Sequence, residues 1–262
     1  MVSTIIDSHI HVGRWRYEHY QHVTCALTSA DSALTSIGPI DEVLAECGIV
    51  GAVLLPTDAG DNQGTLDEIR AYTGVRKYWL FAWCNPRDDS LAWIRAHLDH
   101  ISGLKIHASL DRFPGNVGNP AYEPFLDLAA RRRLPVLVHC GRWQEMASYL
   151  SVLETACRHP HINFIAAHLG GDMESLKIEA PRALKSMALR NVWFDISATR
   201  EFWTIEMAVR EIGADRLLFS SDYPIMHPRM SLASVQTMHL SQAEADMIYA
   251  GNILGLLAEA GQ

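Results

Sequence analysis

The chain has 262 residues, of which 48% are hydrophobic and 20% are charged, and its formal net charge is −8. This length suits one large domain, and the composition is typical of a globular protein with a sizeable core. The acidic balance argues against nucleic acid and anionic membranes as partners, since both bind through basic patches, but it leaves room for a local basic pocket. We therefore expect a small-molecule partner, and we leave open whether the chain forms a homodimer.

The first residues show no basic segment followed by an apolar run, so we expect no secretory signal. No apolar stretch reaches the roughly 18 residues that a transmembrane helix needs. The cysteines are scattered, odd in number and without C-x-x-C spacing; they are Cys25, Cys47, Cys84, Cys140 and Cys157. This pattern favours reduced thiols and a cytoplasmic protein.

The first predicted element is an apolar strand, Ile5–Val12, that carries His9 and His11 near its end. Side chains of a strand alternate between its two faces, so both imidazoles point the same way. Two histidines held on one face by a stiff backbone form half of a metal site. Gly13 follows, which places the pair where the strand gives way to a loop.

Seven further apolar runs follow along the chain, and each is rich in Val, Ile, Leu or aromatic residues. Continuous runs of this kind are typical of parallel strands that are covered on both faces. The predicted strands are Gly51–Pro56, Tyr78–Cys84, Gly103–Ala108, Pro135–Cys140, Asn163–Leu169, Asn191–Ser197 and Arg216–Ser221.

Helical patterns lie between these strands. A capping box at Ser241 and Glu244 opens a final helix that runs through Leu257. The segment Asp172–Arg190 is also helical, and we expect Pro181 to break it. The remaining predicted amphipathic helices are Pro39–Cys47, Asp89–Ile101, Tyr122–Arg133 and Gln144–Arg158.

Eight strands that alternate with helices predict an α/β fold, a single (β/α)8 TIM barrel over residues 1–262, with a doubly wound open sheet as the alternative. No linker or low-complexity segment divides the chain. The stretch Arg14–Gly38 is too long for an ordinary loop after a strand. Because it follows the first strand, we expect it to form a lid or wall over the mouth of the barrel.

Chemistry in a barrel gathers at the C-terminal ends of the strands. From His139 to His168, from His168 to Asp195 and from Asp195 to Asp222 the steps are 29, 27 and 27 residues, as regular β-α units would give. Asp195 lies inside its strand, and we predict a structural hydrogen-bond acceptor there. Mixed histidine and carboxylate ligands suit Zn²⁺, with Mn²⁺, Fe²⁺ or Co²⁺ as alternatives. The strand ends hold His9, His11, Lys105, His107, His139, His168 and Asp222.

With these motifs the chain resembles the amidohydrolase superfamily. The resemblance is closest to the branch that includes aminocarboxymuconate-semialdehyde decarboxylase and pyrone-dicarboxylate lactonase, and it covers nearly the whole chain. It is specific for the superfamily and poorly specific for the substrate. The segments that carry it are Asp7–His11, Gly103–His107, Val138–Gly141, Ala167–Gly171, Phe219–Pro224 and Gly251–Leu254.

The resemblance implies one divalent metal held by four side chains, with His168 beside it as a catalytic or positioning group. Binuclear relatives bridge two metals with a carboxylated lysine on the fourth strand, where this chain has Lys105. We favour one metal, since Lys105 is followed by His107, a pattern of the mononuclear branch. The implied ligands are His9, His11, His139 and Asp222.

These residues predict a metal-dependent hydrolase that attacks an amide, ester or lactone bond of a small carboxylated molecule with a metal-activated water. Asp222 would take the proton of that water, and His168 would hydrogen-bond the water or the oxyanion. The alternatives are a metal-dependent decarboxylase and an inactive metal-binding barrel. The residues expected at the substrate are Lys105, His107, Arg142, Arg14 and Trp15, with Arg200 as a further cation near the mouth.

Overall fold

The computed structural model of the protein describes residues 4–16 and 34–260. Within these ranges the strands form one nine-stranded sheet in which eight strands run parallel and follow the chain order. The exception is β2, which pairs antiparallel with the end of β1. The strands are β1 (Ile6–Arg14), β2 (Leu34–Thr35), β3 (Gly51–Pro56), β4 (Lys77–Trp83), β5 (Gly103–Ile106), β6 (Val136–Val138), β7 (Phe164–Ala166), β8 (Val192–Asp195) and β9 (Leu217–Leu218).

The sheet closes on itself where the chain that leaves β9 meets β1. Ser8 N donates to Phe219 O and His11 N donates to Tyr223 O, both at 2.9 Å. Ile10 and Tyr223 form a parallel bridge between the same segments. The curled parallel sheet with helices around it confirms the predicted TIM barrel and excludes the open sheet.

The inside of the barrel is a packed layer of apolar side chains. Leu137 and Ile165 come from the middle of their strands and Leu218 ends β9; all three are fully buried and pack in one cluster. Their sequence neighbours face the surrounding helices instead, as the period of two requires. The next inward position on each strand therefore lies one layer closer to the C-terminal mouth, which is how His139 comes to lie above Leu137.

Twelve α-helices of the described residues surround or cover the barrel. Four of them, α2, α4, α9 and α10, are absent from the sequence-based prediction. They are α1 (Ile37–Glu46), α2 (Asn62–Ala71), α3 (Ser90–Ala96), α4 (Ala108–Asp111), α5 (Glu123–Arg132), α6 (Gln144–Ala147), α7 (Tyr149–Arg158), α8 (Glu174–Met187), α9 (Phe202–Ile212), α10 (Pro228–Thr237), α11 (Gln242–Asp246) and α12 (Asn252–Glu259).

Two helix predictions were wrong in their continuity. Pro181 does not break α8, which is continuous over 14 residues. The burial of Ala180 and Leu184 on either side offsets the roughly 3 kcal/mol that an interior proline costs. Conversely, the predicted helix Gln144–Arg158 is divided at Ser148, which has extended backbone and accepts a hydrogen bond from Leu150 N at 3.2 Å as the N-cap of α7.

The predicted strand Gly103–Ala108 was wrong at its end. The strand stops at Ile106, and α4 begins at Ala108 with His107 as its N-cap. Most of the predicted lid, Arg14–Gly38, lies outside the described residues, and the single-domain assignment over 1–262 stays a prediction. No helix in 4–16 and 34–260 is long and apolar enough to cross a membrane.

Candidate metal centre at the barrel mouth

A cavity of about 460 Å³ opens at the C-terminal ends of the strands. Its walls come from seven barrel strands or the segments that follow them, so residues far apart in sequence meet there. Most of its polar lining consists of histidine and carboxylate side chains. It is lined by His9, His11, Trp15, Asp58, Trp83, Lys105, His107, Leu110, His139, His168, Asp222 and Ile225.

The two β1 histidines face Asp222 with the same ring nitrogen. His9 Nε2 lies 3.3 Å and His11 Nε2 lies 3.2 Å from Asp222 Oδ1. The other nitrogen of each ring is tied elsewhere: His9 Nδ1 donates to Asp195 Oδ2 at 2.9 Å, and His11 Nδ1 donates to Pro56 O at 3.0 Å. These acceptors fix Nδ1–H on both rings and leave the Nε2 lone pairs turned toward the carboxylate oxygen.

This convergence fits a bound cation. Burial, and then the charge of Lys105, lower the pKa of His9 to about 4, so its Nε2 carries no proton near neutral pH. Two lone pairs on His9 Nε2 and Asp222 Oδ1 repel one another unless a positive charge lies between them. The donor atoms of His9, His11 and Asp222 all lie within 4.8 Å of one another, a set of two imidazoles and one carboxylate that suits Zn²⁺.

The turn after β9 holds Asp222 in place. Asp222 has left-handed backbone with φ of 67°, and its amide donates to His9 O at 2.9 Å. Behind it, Asp7 Oδ1 accepts from His9 N at 3.1 Å and from Ser221 N at 3.0 Å, which joins the two strands. Burial alone would raise the pKa of Asp222, but the facing His9 and His11 outweigh it and hold that pKa below its ordinary value, so the carboxyl stays ionised.

Asp195 supports two histidines at once. Besides its contact with His9, Asp195 Oδ1 accepts from His168 N at 2.9 Å and from Ser197 N at 3.1 Å. It is fully buried, yet the neighbouring His9 and these hydrogen bonds keep its pKa below the ordinary range. Asp195 is the hydrogen-bond acceptor that the sequence predicted, but it also lies behind His9. A carboxylate behind a candidate metal ligand orients that ligand and raises its basicity.

His139 lies in the same cavity but outside the converging donor set. Its Nδ1 lies 3.1 Å from His168 Nε2, and its ring stacks on His107 with centroids 3.8 Å apart. His168 Nδ1 in turn lies 3.3 Å from Ser197 O. A Cβ at position 141 would lie 3.0 Å from His139 Nε2, so Gly141 keeps the space beside this nitrogen open. The structure thus brings together three of the four predicted ligands, His9, His11 and Asp222. The fourth, His139, contacts His168 instead of joining this set.

Lys105 lies directly beneath the donor set. It is fully buried, its Nζ lies 3.5 Å from His9 Nε2, and burial lowers its pKa to about 8. An ammonium in this position adds positive charge to the floor of the cavity. The predicted substrate-facing residues Lys105, His107 and Trp15 all line the cavity. Trp15 is buried, with its ring 5.5 Å from that of His11.

The three predicted arginines lie at different places. Arg14 is exposed and does not line the described cavity. Arg142 and Arg200 line an adjoining cavity that shares His139, His168 and Asp222 with the first one, so both lie at the mouth. Arg142 is already paired there, with Nε 2.7 Å from Asp172 Oδ2 and a side chain that is 62% exposed.

Sequence reasoning missed Asp58 and Trp83. Asp58 is buried, follows β3 and accepts from Arg16 N at 2.6 Å. Trp83 ends β4, and its ring stacks on His107 with centroids 5.6 Å apart. Both residues lie at the C-terminal ends of strands, as the candidate histidines do, so their position alone could have identified them. Their residue types did not attract notice in the sequence.

Comparison with known proteins agrees with the fold and the strand-end motifs. The sequence profile of the Amidohydrolase family matches residues 6–257, nearly the entire chain. The chain belongs to the amidohydrolase family. This confirms the resemblance stated from the motifs, and it indicates an enzyme. No curated protein matches the chain.

Solved structures share the fold at low sequence identity. An amidohydrolase from Burkholderia multivorans with bound zinc is 16% identical, with a TM-score of 0.75 over 98% of this chain and 99% of that one. A Pseudomonas putida protein, proposed to be a 2-pyrone-4,6-dicarboxylic acid hydrolase, is 16% identical with a TM-score of 0.74 over 99% of both chains. A dihydroxybenzoic acid decarboxylase from Polaromonas sp. JS666 with bound manganese is 16% identical with a TM-score of 0.70, covering 98% and 97%.

Proposed function

We propose that the protein is a metal-dependent hydrolase that cleaves an amide, ester or lactone bond of a small molecule. The observation that carries the proposal is the convergence of His9 Nε2, His11 Nε2 and Asp222 Oδ1, three ligand atoms that a bound divalent cation would bring into favourable contact. The family of the chain and the zinc-bound and manganese-bound structural neighbours support it. Zn²⁺ is the first candidate and Mn²⁺ the second, followed by Fe²⁺ and Co²⁺.

In this proposal His9, His11 and Asp222 hold one divalent metal, and His139 is the fourth ligand. A bound divalent metal lowers the pKa of a coordinated water and polarises a substrate carbonyl. The hydrogen bond between His139 and His168 is the contact that metal binding would replace. The ammonium of Lys105 lies 3.5 Å from His9 and favours one metal, since a second metal would require that lysine to lose its positive charge by carboxylation.

The chain's own residues then have distinct tasks. Asp222 is ionised and can accept a proton at Oδ1 and pass it to a leaving group. His168 is held by the Asp195 contact to its amide and by Ser197, and its Nε2 can hydrogen-bond a reacting oxygen. Trp15 and Trp83 form apolar walls that limit water in the cavity.

A metal-dependent decarboxylase is the second candidate, and Lys105 favours it. A buried ammonium in the cavity supplies the positive charge that a substrate carboxylate needs, and the Polaromonas neighbour is described as a decarboxylase. The Arg142–Asp172 pair weakens this argument at the rim, because that arginine already has a carboxylate. We further propose a small-molecule partner and a cytoplasmic location.

A substrate screen separates these reactions. Zinc-loaded and manganese-loaded protein would be tested on lactones, aryl esters and carboxylated phenols, with acid release and CO₂ release measured in parallel. Acid release without CO₂ is the expected result for a hydrolase. Release of CO₂ from a carboxylated phenol would replace the proposal by the decarboxylase. Metal bound at one equivalent without turnover of any substrate class would instead favour the inactive metal-binding barrel.

A further inference from the structure

His107 lies at the junction of β5 and α4, and its ring folds back over its own helix turn. Its Nδ1 lies 3.1 Å from Ser109 Oγ and accepts from Leu110 N at 3.4 Å. The Leu110 amide is shared with His107 O, at 3.0 Å. A backbone N–H directed at Nδ1 disfavours a proton on that nitrogen, because two N–H groups would then face one another. The serine hydroxyl is free to rotate and acts as the second donor.

The plane of the His107 ring is fixed from both sides. It is stacked between Trp83, at an interplanar angle of 14°, and His139, at 10°. Trp83 is itself anchored, since its Nε1 donates to Asp111 Oδ1 at 3.2 Å, and Tyr122 OH donates to the other oxygen of Asp111 at 3.2 Å. Asp111 therefore orients His107 through Trp83 without reaching the cavity itself.

We infer that this arrangement holds His107 as the Nε2–H tautomer and makes it a hydrogen-bond donor to a substrate oxygen. Its Nε2 bonds to none of the described residues, and the ring lines the cavity. His9 and His11 have the opposite tautomer, with Nδ1–H turned away and a bare Nε2 turned inward. One mouth thus carries acceptor histidines for a metal and a donor histidine for the substrate.

This inference goes further than the proposed function because it names a residue that contacts the substrate. The role of His107 at the substrate rests on the proposed function, whereas its tautomer does not. A donor that is fixed in one tautomer selects substrates that present an acceptor oxygen at the His107 wall, such as a lactone carbonyl or a carboxylate. A fixed donor in a water-poor site also stabilises negative charge that develops on such an oxygen. Ser109 and Asp111 are then positioning residues, because they act through His107.

The tautomer can be measured without a substrate. In zinc-loaded protein labelled with ¹⁵N-histidine, long-range ¹H–¹⁵N correlation spectra distinguish Nδ1–H from Nε2–H rings. We expect His107 as Nε2–H and His97 as Nδ1–H; His97 serves as the internal control because its Nδ1 donates to Trp93 O at 2.8 Å. A His107 ring in the Nδ1–H form, or an even mixture of both forms, would overturn the inference.

Variants of Ser109 test whether its hydroxyl helps to fix the tautomer of His107. Ser109→Ala removes one donor to Nδ1, and the Nε2–H to Nδ1–H ratio should fall about fivefold, the factor that one ordinary hydrogen bond gives. Ser109→Thr keeps the hydroxyl and should restore the ratio. Zinc content should not change in either variant. An unchanged ratio in Ser109→Ala, in folded protein, would contradict the proposed role of Ser109.

The substrate-side role is tested on dihydrocoumarin, an aryl lactone used as a probe. Gln can place an N–H near the position of Nε2, whereas Asn reaches only the position of Nδ1. His107→Asn should therefore lose about 10²-fold in kcat, and His107→Gln less than about tenfold. Equal losses in both would overturn the donor role. If the wild-type protein does not hydrolyse this lactone, the proposed hydrolysis fails for this probe, and the tautomer spectrum still decides the state of His107.

Discussion

The two sides of the barrel mouth are built differently. On the β1 and β9 side, each candidate ligand is tied to another strand: His9 to Asp195, His11 to the carbonyl of Pro56, and Asp222 to the carbonyl of His9. On the β5 to β7 side, the imidazole rings contact one another instead. His107 stacks on His139, and His139 hydrogen-bonds to His168.

This difference shows which part of the site is preset, that is, already arranged before a metal binds. His11 and Asp222 contact backbone atoms of neighbouring segments, and His9 contacts the fully buried carboxylate of Asp195, so the β1 and β9 side is ordered by the fold itself. Contacts between imidazole rings depend on side-chain rotation, so the β6 and β7 side can change when a metal binds. The comparison predicts that substitutions on the two sides have separable effects on metal affinity and turnover.

The largest effect is expected for Asp222→Asn on the preset side. The amide cannot take a proton and is a weak ligand, so turnover should fall by about 10³-fold or more while the fold stays intact. Initial rates with the best substrate of the screen, together with circular dichroism, measure this. Asp172→Asn is the matched control at the exposed rim and should retain turnover; wild-type rates in Asp222→Asn would rule out the assigned role.

Next in size is a pair of histidine variants, one from each side. If His139 becomes the fourth ligand, His139→Asn and His11→Asn should each weaken zinc affinity by more than about 100-fold, since loss of a ligand exceeds the loss of its supporting contact. Competition with a chromogenic chelator measures both affinities. Near-normal affinity with reduced turnover in His139→Asn would show that this residue only positions His168.

A smaller effect is expected for Asp195→Asn. The amide still accepts a hydrogen bond from His9 but lacks the charge that makes the imidazole a better ligand, so zinc affinity should fall about 10- to 100-fold. The same chelator competition applies. Asp215→Asn, which changes a half-exposed aspartate outside the cavity, controls for the loss of one negative charge and should bind zinc normally.

The smallest effect is expected at the rim. Arg142 and Asp172 form an exposed pair, so Arg142→Ala should lower the free energy of unfolding by less than about 1 kcal/mol. Urea denaturation measures this. The same variant should change KM for a carboxylated substrate by only a few-fold, because the arginine already has a partner. A KM increase of 100-fold would show that Arg142 binds the substrate, as the sequence predicted.

The barrel and the preset side of its mouth could be predicted from sequence because both follow from strand periodicity. Apolar runs that end in histidine or aspartate place His9, His11 and Asp222 at the C-terminal ends of strands, whereas their role as metal ligands was implied by the family resemblance. The helices α2 and α10 were missed because polar residues such as Thr65 and Ser231 interrupt their buried faces, whereas α9 has an apolar face with Ile205 and Ala208 that the prediction overlooked. The end of β5 was missed because the apolar run continues into Ala108 although His107 caps a helix.

The other side of the mouth was less predictable because ring orientation is not a property of sequence spacing. The spacing placed His139 on the correct face, but its hydrogen bond to His168 depends on a rotamer. Likewise, the sequence does not show whether an arginine after a strand faces the substrate or forms a salt bridge, and the pairing of Arg142 with Asp172 joins loops 30 residues apart. Asp195 was identified as an acceptor, but its partner His9 is 186 residues away.

The central claim is that the preset side of the mouth binds one divalent metal. The direct measurement is metal content by mass spectrometry after growth with added zinc and exhaustive buffer exchange, for wild type and for His9→Asn. We expect about one equivalent of zinc per wild-type chain, the stoichiometry of a single closed donor set, and a large loss in the variant. Wild-type protein with little bound metal, or a His9→Asn variant that binds as much, would contradict it.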